Sequence, residues 1–312
     1  MIRLAVIGVG HLGRHHARIL AGMPDVDLVG VVDLNRQRAQ EIADAHKTGV
    51  VTDASALAGG VDGVIVATPT ASHAEVAKPF LESGVAVLVE KPLARSLAEA
   101  DDLIRVAAEG GAILAVGHTE RFNPAVAAAR PLLTSPRFIE VHRLGAFPDR
   151  SLDIDVVFDL MIHDLDVVLS IVAGSVAAID AVGVPVLTPK IDIANVRLRF
   201  ESGCIANLTA SRISRDRTRK IRFFQPDSYV AIDYASQEVE VWRLVRHQAG
   251  LPTIEGGPMP VTSDEPLRRE LEDFVDAIRR RRAPTVTGED GRRALALAQQ
   301  ITDAMIFTNA GG

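Results

Sequence analysis

Apolar residues follow two rhythms over the first 120 positions. Short runs rich in β-branched residues (2–7, 26–32, 61–67, 85–90, 113–117) alternate with longer stretches of helical spacing (11–22, 35–46, 72–83, 96–109). That alternation predicts a parallel sheet with helices on both faces. "VDGVIVAT" and "GVAVLVE" are almost continuously apolar, as strands covered on both sides are.

After residue 120 the pattern changes. "ERFNPAVAAARPLL" reads as a connector and a helix that starts with Asn123 before Pro124. Another helix follows in "FDLMIHDLDVV" (158–168). Between 176 and 246 the segments "VAAIDAVGV", "IANVRLRF", "CIANLTAS", "KIRFFQ", "YVAID" and "VEVWRLV" are strand-like with no helix between them. "ESGC" (201–204) predicts a hairpin turn. "AGLPTIEGGPMPVTSDEP" reads as a loop, and helices over 264–281 and 288–307 close the chain. The expectation is an α/β domain over 1–120 and an α+β domain over 121–312 on a mostly antiparallel sheet.

Composition narrows the partners. The 312 residues are 47% hydrophobic and 24% charged, enough for two cores of a soluble globular protein. A net charge of −6 argues against nucleic acid. With Cys204 as the one cysteine, no internal disulfide forms, which suits a reducing cytoplasm. "MIRLAVIGVG" enters a strand at once without a signal-peptide pattern, and no run of about 18 uncharged apolar residues predicts a membrane span.

The first candidate chemistry is "VIGVGHLGRHHARIL", with Gly8, Gly10 and Gly13 and the intervening His11 and Leu12. It follows a strand and opens a helix, the context a dinucleotide needs: a tight turn at Gly8, close approach of pyrophosphate at Gly10, helix packing at Gly13. Helix-start N–H groups add an anion site. Asp33 ends the next strand, where a carboxylate accepts from ribose hydroxyls and repels a 2′-phosphate. That favours NAD over NADP, although Arg36 lies nearby. The competing reading is a glycine turn kept only for packing. His15 and His16 read as surface or packing residues rather than metal ligands, and no metal site is expected. Thr68 and Pro69 follow a strand and are candidates to line the cofactor cleft. Ser72 is a candidate helix cap, and His73 reads as structural.

"AVLVEKPLARS" places Glu90, Lys91 and Pro92 where a strand stops, so Glu90 and Lys91 are candidates for the cofactor side, with Lys91 expected in the cleft beside the nicotinamide. A lysine there can lower the pKa of a substrate hydroxyl or move its proton; the alternative is a solvated lysine paired with Glu90. In "FDLMIHDLDVVLS", Asp159, His163, Asp166 and Ser170 form one helical stripe between apolar flanks. Asp159 can orient His163 to take a hydroxyl proton near neutral pH. Asp164 falls off the stripe and is expected at the surface. A water-facing seam competes equally with catalysis.

Taken together, Gly8-x-Gly10-x-x-Gly13, Glu90-Lys91-Pro92 and Asp159-x-x-x-His163-x-x-Asp166 resemble the glucose–fructose oxidoreductase / inositol dehydrogenase (Gfo/Idh/MocA) family along essentially the whole chain. The resemblance implies a Rossmann domain followed by an α+β domain on an open sheet, often used for dimer or tetramer contacts. It implies hydride transfer between a sugar or cyclitol carbon and a nicotinamide, with Lys91, His163 and Asp159 as the acid/base and substrate-holding residues. Met161 departs from the glycine of many members. "VGHTERFNPA" and "FDLMIHDLDVVLS" are most similar to members that oxidise the 3-hydroxyl of UDP-N-acetylglucosamine, a step towards amide-linked lipid A. Such a substrate needs cations, and Arg121 and the arginines of "SRISRDRTRKIR", beginning with Arg212, are candidates; a solvated basic hairpin is the alternative. A free sugar or inositol dehydrogenase, or an NAD-binding sensor without turnover, are the other functions considered.

Overall fold

In the computed structural model, residues 1–147, 154–247 and 251–307 are described. The chain divides into two compact units. The first comprises Met1–Thr119 and Glu265–Leu295, the second Glu120–Asp264 and Ala296–Gly312.

The first unit alternates β1 (Ile2–Ile7), α1 (Gly13–Ala21), β2 (Val26–Val32), α2 (Arg36–His46), β3 (Gly63–Val66), α3 (His73–Glu82), β4 (Ala86–Glu90), α4 (Leu97–Gly110) and β5 (Leu114–Gly117). The strands form one parallel sheet in the order β2-β1-β3-β4-β5. Every residue of β3, β4 and β5 is buried, which explains their unbroken apolar character. The returning helix Pro266–Arg280 also lies in this unit, although the sequence reading assigned it to the second domain. Its apolar stripe explains the placement: Leu271, Phe274 and Val275 join Leu4, Val6, Leu20 and Ile65 in one core, with Ile278 packed against it.

The second unit begins with α5 (Pro124–Ala129), capped by the Asn123 side chain on the Ala125 N–H. β6 (Phe138–Leu144) follows. Then come a π-helical turn (Val157–Met161) and α6 (Ile162–Ile171). Six strands come next: β7 (Val176–Val184), β8 (Ile193–Phe200), β9 (Ile205–Ser211), β10 (Thr218–Phe224), β11 (Ser228–Asp233) and β12 (Glu238–Val245). With β13 (Thr253–Met259) and β14 (Met305–Phe307) they build a nine-stranded sheet, β13-β12-β11-β10-β6-β9-β8-β7-β14. α7 is the Pro266–Arg280 helix, and α8 covers Gly288–Ala304. The sheet is antiparallel except for β6 with β9 and β7 with β14.

Four elements differ from expectation. β6 was not anticipated, because Arg143 occupies one of its buried positions and breaks the in/out alternation. β13 replaces an expected loop; its Gly-Gly-Pro is tolerated because β13 is an edge strand, paired only with β12. The last turn expected for α8 is instead β14. The basic stretch after β9 is not a hairpin, since β6 lies between β9 and β10.

Asp192 fixes the approach to β8. It is fully buried and accepts the N–H groups of Val186, Leu187 and Thr188 at 2.7–2.8 Å and the Arg212 Nε at 2.8 Å. Burial pushes this carboxyl up, but those donors outweigh it and hold it well below the usual carboxylate range. A depressed folded-state pKa adds stability above the unfolded value of about 4, lost as pH falls through the folded-state value. Asp192→Asn should therefore lower the melting temperature at neutral pH and flatten its decline below about pH 4, read by thermal melts across pH.

The open face of the sheet carries an aromatic row. Phe138, Phe224, Tyr229 and Trp242 are successive cross-strand neighbours on β6, β10, β11 and β12. Phe138 and Phe224 centroids are 5.5 Å apart, and Phe224 and Tyr229 5.1 Å.

Candidate active site

The first unit gathers its candidate residues at the carboxyl ends of its parallel strands, where ligands bind in such sheets. Gly8 has φ +86°, and a Cβ at Gly13 would lie 1.7 Å from the Gly8 carbonyl oxygen, so both positions exclude a side chain. A Cβ at Gly10 would meet nothing within 4 Å, which leaves the loop surface open to a ligand. Leu12 is the N-cap of α1 and offers no capping side chain, so the helix start keeps N–H groups for an anion. His11 is exposed, its ring edge-on to His15 at 5.9 Å. These features fit a dinucleotide pyrophosphate.

Asp33 follows β2 and does more than the sequence suggested. Its Oδ2 accepts the Val9 N–H at 2.9 Å, and Oδ1 accepts from Asn35 N–H at 2.8 Å and Arg38 Nη2 at 3.1 Å. The cation beside it is Arg38, two residues beyond the Arg36 noted from sequence. Thr68 and Pro69 follow β3, with the Pro69 side exposed. Ser72 gives α3 no side-chain cap; its hydroxyl turns back to Thr68 and Pro69.

Glu90 and Lys91 end β4, and the Lys91–Pro92 peptide is cis. Lys91 is half-buried. Glu90 turns inward instead of facing a cofactor: it is buried, its Oε1 lies 2.7 Å from His16 Nε2, and its Oε2 accepts the Lys91 N–H at 3.2 Å.

In the second unit Asp159 sits in the π turn and His163 in the first turn of α6. π turns are rare and fall frequently at functional positions. Asp159, His163 and Ser170 of the stripe are half-buried. Asp166 is buried and accepts Arg121 Nε at 2.9 Å, so Arg121 is held within the unit.

Asp164, expected at the surface, is 1% exposed. Arg143 from β6 donates to both of its oxygens, Nε at 2.6 Å and Nη2 at 3.0 Å, and donates Nη1 to Glu120 at 3.1 Å. The guanidinium lies 5.1 Å over the Tyr234 ring. Burial opposes the Arg143 charge, yet Asp164 and Glu120 hold its pKa above the ordinary value. Burial in turn pushes Asp164 up against the pull of Arg143. The two-bond geometry favours the ionised pair. Asn123 completes the network, donating to Glu120 at 3.2 Å and to the Tyr234 carbonyl at 3.0 Å.

Arg212 does not face a ligand. It is 1% exposed, and its donors go to Asp192, the Ile154 carbonyl at 2.7 Å and the Thr188 hydroxyl at 3.0 Å. The exposed cations of that stretch are Arg215, Arg217, Arg219 and Lys220. Among the described residues no cluster of three His, Cys, Asp or Glu side chains could hold a metal ion. Sequence reasoning missed Glu120, Arg143 and Tyr234, whose partners lie far away in the chain.

Comparison with known proteins gives the site its context. A family model for an oxidoreductase family with an NAD-binding Rossmann fold matches residues 2–118, and a GFO/IDH/MocA C-terminal domain model matches 135–226. The chain is 39% identical over 306 residues to UDP-N-acetylglucosamine 3-dehydrogenase of Acidithiobacillus ferrooxidans, covering 97% of each. A solved structure of that enzyme superposes with a TM-score of 0.91 at 38% identity, over 97% of each chain. Inositol 2-dehydrogenase of Rhizobium meliloti is 26% identical over 95% of this chain and 94% of its own. Glycine loop, parallel sheet and both domain matches agree: the chain belongs to the GFO/IDH/MocA family of NAD-binding oxidoreductases, whose relatives include sugar and inositol dehydrogenases.

Proposed function

We propose that this protein oxidises the 3-hydroxyl of UDP-N-acetylglucosamine to a ketone with NAD. One observation carries the reading: end-to-end similarity, at 39% identity, to an enzyme of that name. Bound nicotinamide supplies the hydride acceptor. His163 takes the hydroxyl proton, Asp159 orients the imidazole, and Lys91 stabilises the developing alkoxide. The glycine loop, with Gly8, Gly10, His11, Leu12 and Gly13, holds the pyrophosphate, and Asp33 faces the adenine ribose, favouring NAD over NADP. Thr68 and Pro69 line the cofactor side. Of the cations named from sequence, Arg121 and Arg212 serve their buried carboxylates, so we assign the diphosphate to the exposed Arg215 and Arg217.

The test is formation of reduced nicotinamide from UDP-N-acetylglucosamine, with N-acetylglucosamine and myo-inositol as parallel substrates and NADP as parallel cofactor. Turnover should require the nucleotide sugar. Activity confined to free sugars or inositol would overturn the substrate, and no turnover with any of them would favour an NAD-binding sensor. A place in the supply of amide-linked lipid A and a cytoplasmic location are part of the same proposal. No helix among the described residues is long and apolar enough to cross a membrane. We also propose a homodimer or homotetramer that covers the aromatic row on the open sheet face, which sedimentation equilibrium distinguishes from a monomer.

A further inference from the structure

Glu90 poses a problem that the role of Lys91 does not solve. It ends β4, is 5% exposed, and stands next to the amine assigned to the chemistry. A buried carboxylate is costly without partners. Its main partner comes from the cofactor-binding helix: His16 of α1 is fully buried, with Nε2 2.7 Å from Oε1. A carboxylate only accepts, so the hydrogen sits on Nε2. Burial pushes Glu90 up, but the hydrogen bond and charge of His16, followed by Lys91 and His73, hold it below its ordinary value. Oε2 is turned to the Lys91 N–H, and a Cβ at Gly117 of β5 would come within 3.0 Å of it. The carboxylate is therefore locked between α1 and β5.

A second imidazole holds the other end of the same turn. His73 of α3, 1% exposed, places Nδ1 3.0 Å from the Pro92 carbonyl and Nε2 2.9 Å from the Thr68 carbonyl. Both partners are acceptors. Burial pushes this imidazole down, against the pull of the two carbonyls. The Glu90–Pro92 turn is thus fixed at its side chain by the helix after the glycine loop, and at its last carbonyl by the helix after Thr68–Pro69.

We propose that His16 and His73 are positioning residues for Lys91, gripping the Glu90–Pro92 turn from the two cofactor-side helices so that the amine is held where its proton chemistry occurs. The inference rests on the proposed role of Lys91. Neither imidazole touches substrate; each acts through the turn. Misplacing a reacting group by about 1 Å costs on the order of 10²-fold in rate, while the glycine loop and its N–H groups are left in place.

The experiment measures kcat and, separately, the dissociation constant for NAD by fluorescence, on the full chain. His16→Ala and His73→Ala should each lower kcat by roughly 10- to 100-fold with NAD affinity within about twofold. His16→Gln, which keeps a donor, should recover most of the loss. In a Glu90→Gln background, His16→Ala should add little further, because the charge it compensates is gone. Wild-type kcat in His16→Ala and His73→Ala, or a parallel loss of NAD binding in the Gln variant, overturns the positioning role. Lys91→Ala runs alongside. If it keeps full turnover, the Lys91 assignment fails and this inference with it; if it is inactive while the histidine variants are not, only this inference fails.

Discussion

Replacing Lys91 by alanine should lower turnover by about 10²–10⁴-fold, the range a single positioned acid/base group supplies, and leave NAD binding nearly intact. The split follows from where the groups sit in the chain. In the proposed reading, cofactor affinity rests on the glycine loop, the start of α1 and Asp33. Lys91 belongs to a different strand end, held by its own contacts through Glu90. His163→Ala should produce a loss of similar size. The proposed mechanism, in which both groups serve one proton transfer, predicts that the double variant falls well short of the product of the two losses. Steady-state rates beside NAD titrations check each point. Full activity in both single variants would remove the assigned roles and leave an NAD-binding protein of another purpose.

Breaking the ion pair beneath α6 should be the most destabilising single change in the second unit. Removing one partner of a buried pair typically costs about 3–5 kcal/mol, because the other charge stays behind without compensation. The two partners are not equivalent here. Asp164→Leu leaves Arg143 its Glu120 contact at 3.1 Å. Arg143→Met leaves Asp164 and Glu120 as two carboxylates that the guanidinium had joined. Arg143→Met should therefore cost more than Asp164→Leu, and the double variant should be more stable than Arg143→Met alone. Denaturant unfolding followed by the second unit's Trp242 checks the order. Equal and additive losses would mean that the three charges do not act as one network.

The parts of the protein legible in sequence are those decided within one element or one turn. "VIGVGHLG" carries its own requirement: a positive φ at Gly8 and a side-chain-free approach at Gly13 are local. The alternation of buried runs and helical spacing up to Gly117 is equally local, and the observed strands and helices follow it closely. Asp164 and Arg212 were misread for one shared reason. A charged residue in a chain reads as solvated or ligand-seeking, and its burial becomes intelligible only beside its partner. Arg143, near the end of β6, hid both itself and its strand, since an arginine in a sequence reads as an outward position. The segment Pro266–Arg280 showed its apolar stripe clearly, but a stripe does not name the surface it covers.

Sequence alone determined the two types of sheet, the glycine loop and the family to which the chain belongs. Those follow from periodicity and from steric demands that each residue makes on its immediate neighbours. Only the tertiary structure decided which charge meets which: His16 with Glu90 across 74 residues, Arg121 with Asp166 across 45, and Arg143 with Asp164 across 21. Helical and strand periods say which side chains share a face, not what lies opposite. Electrostatic energy in a buried setting depends on separations of a few ångströms that packing alone sets.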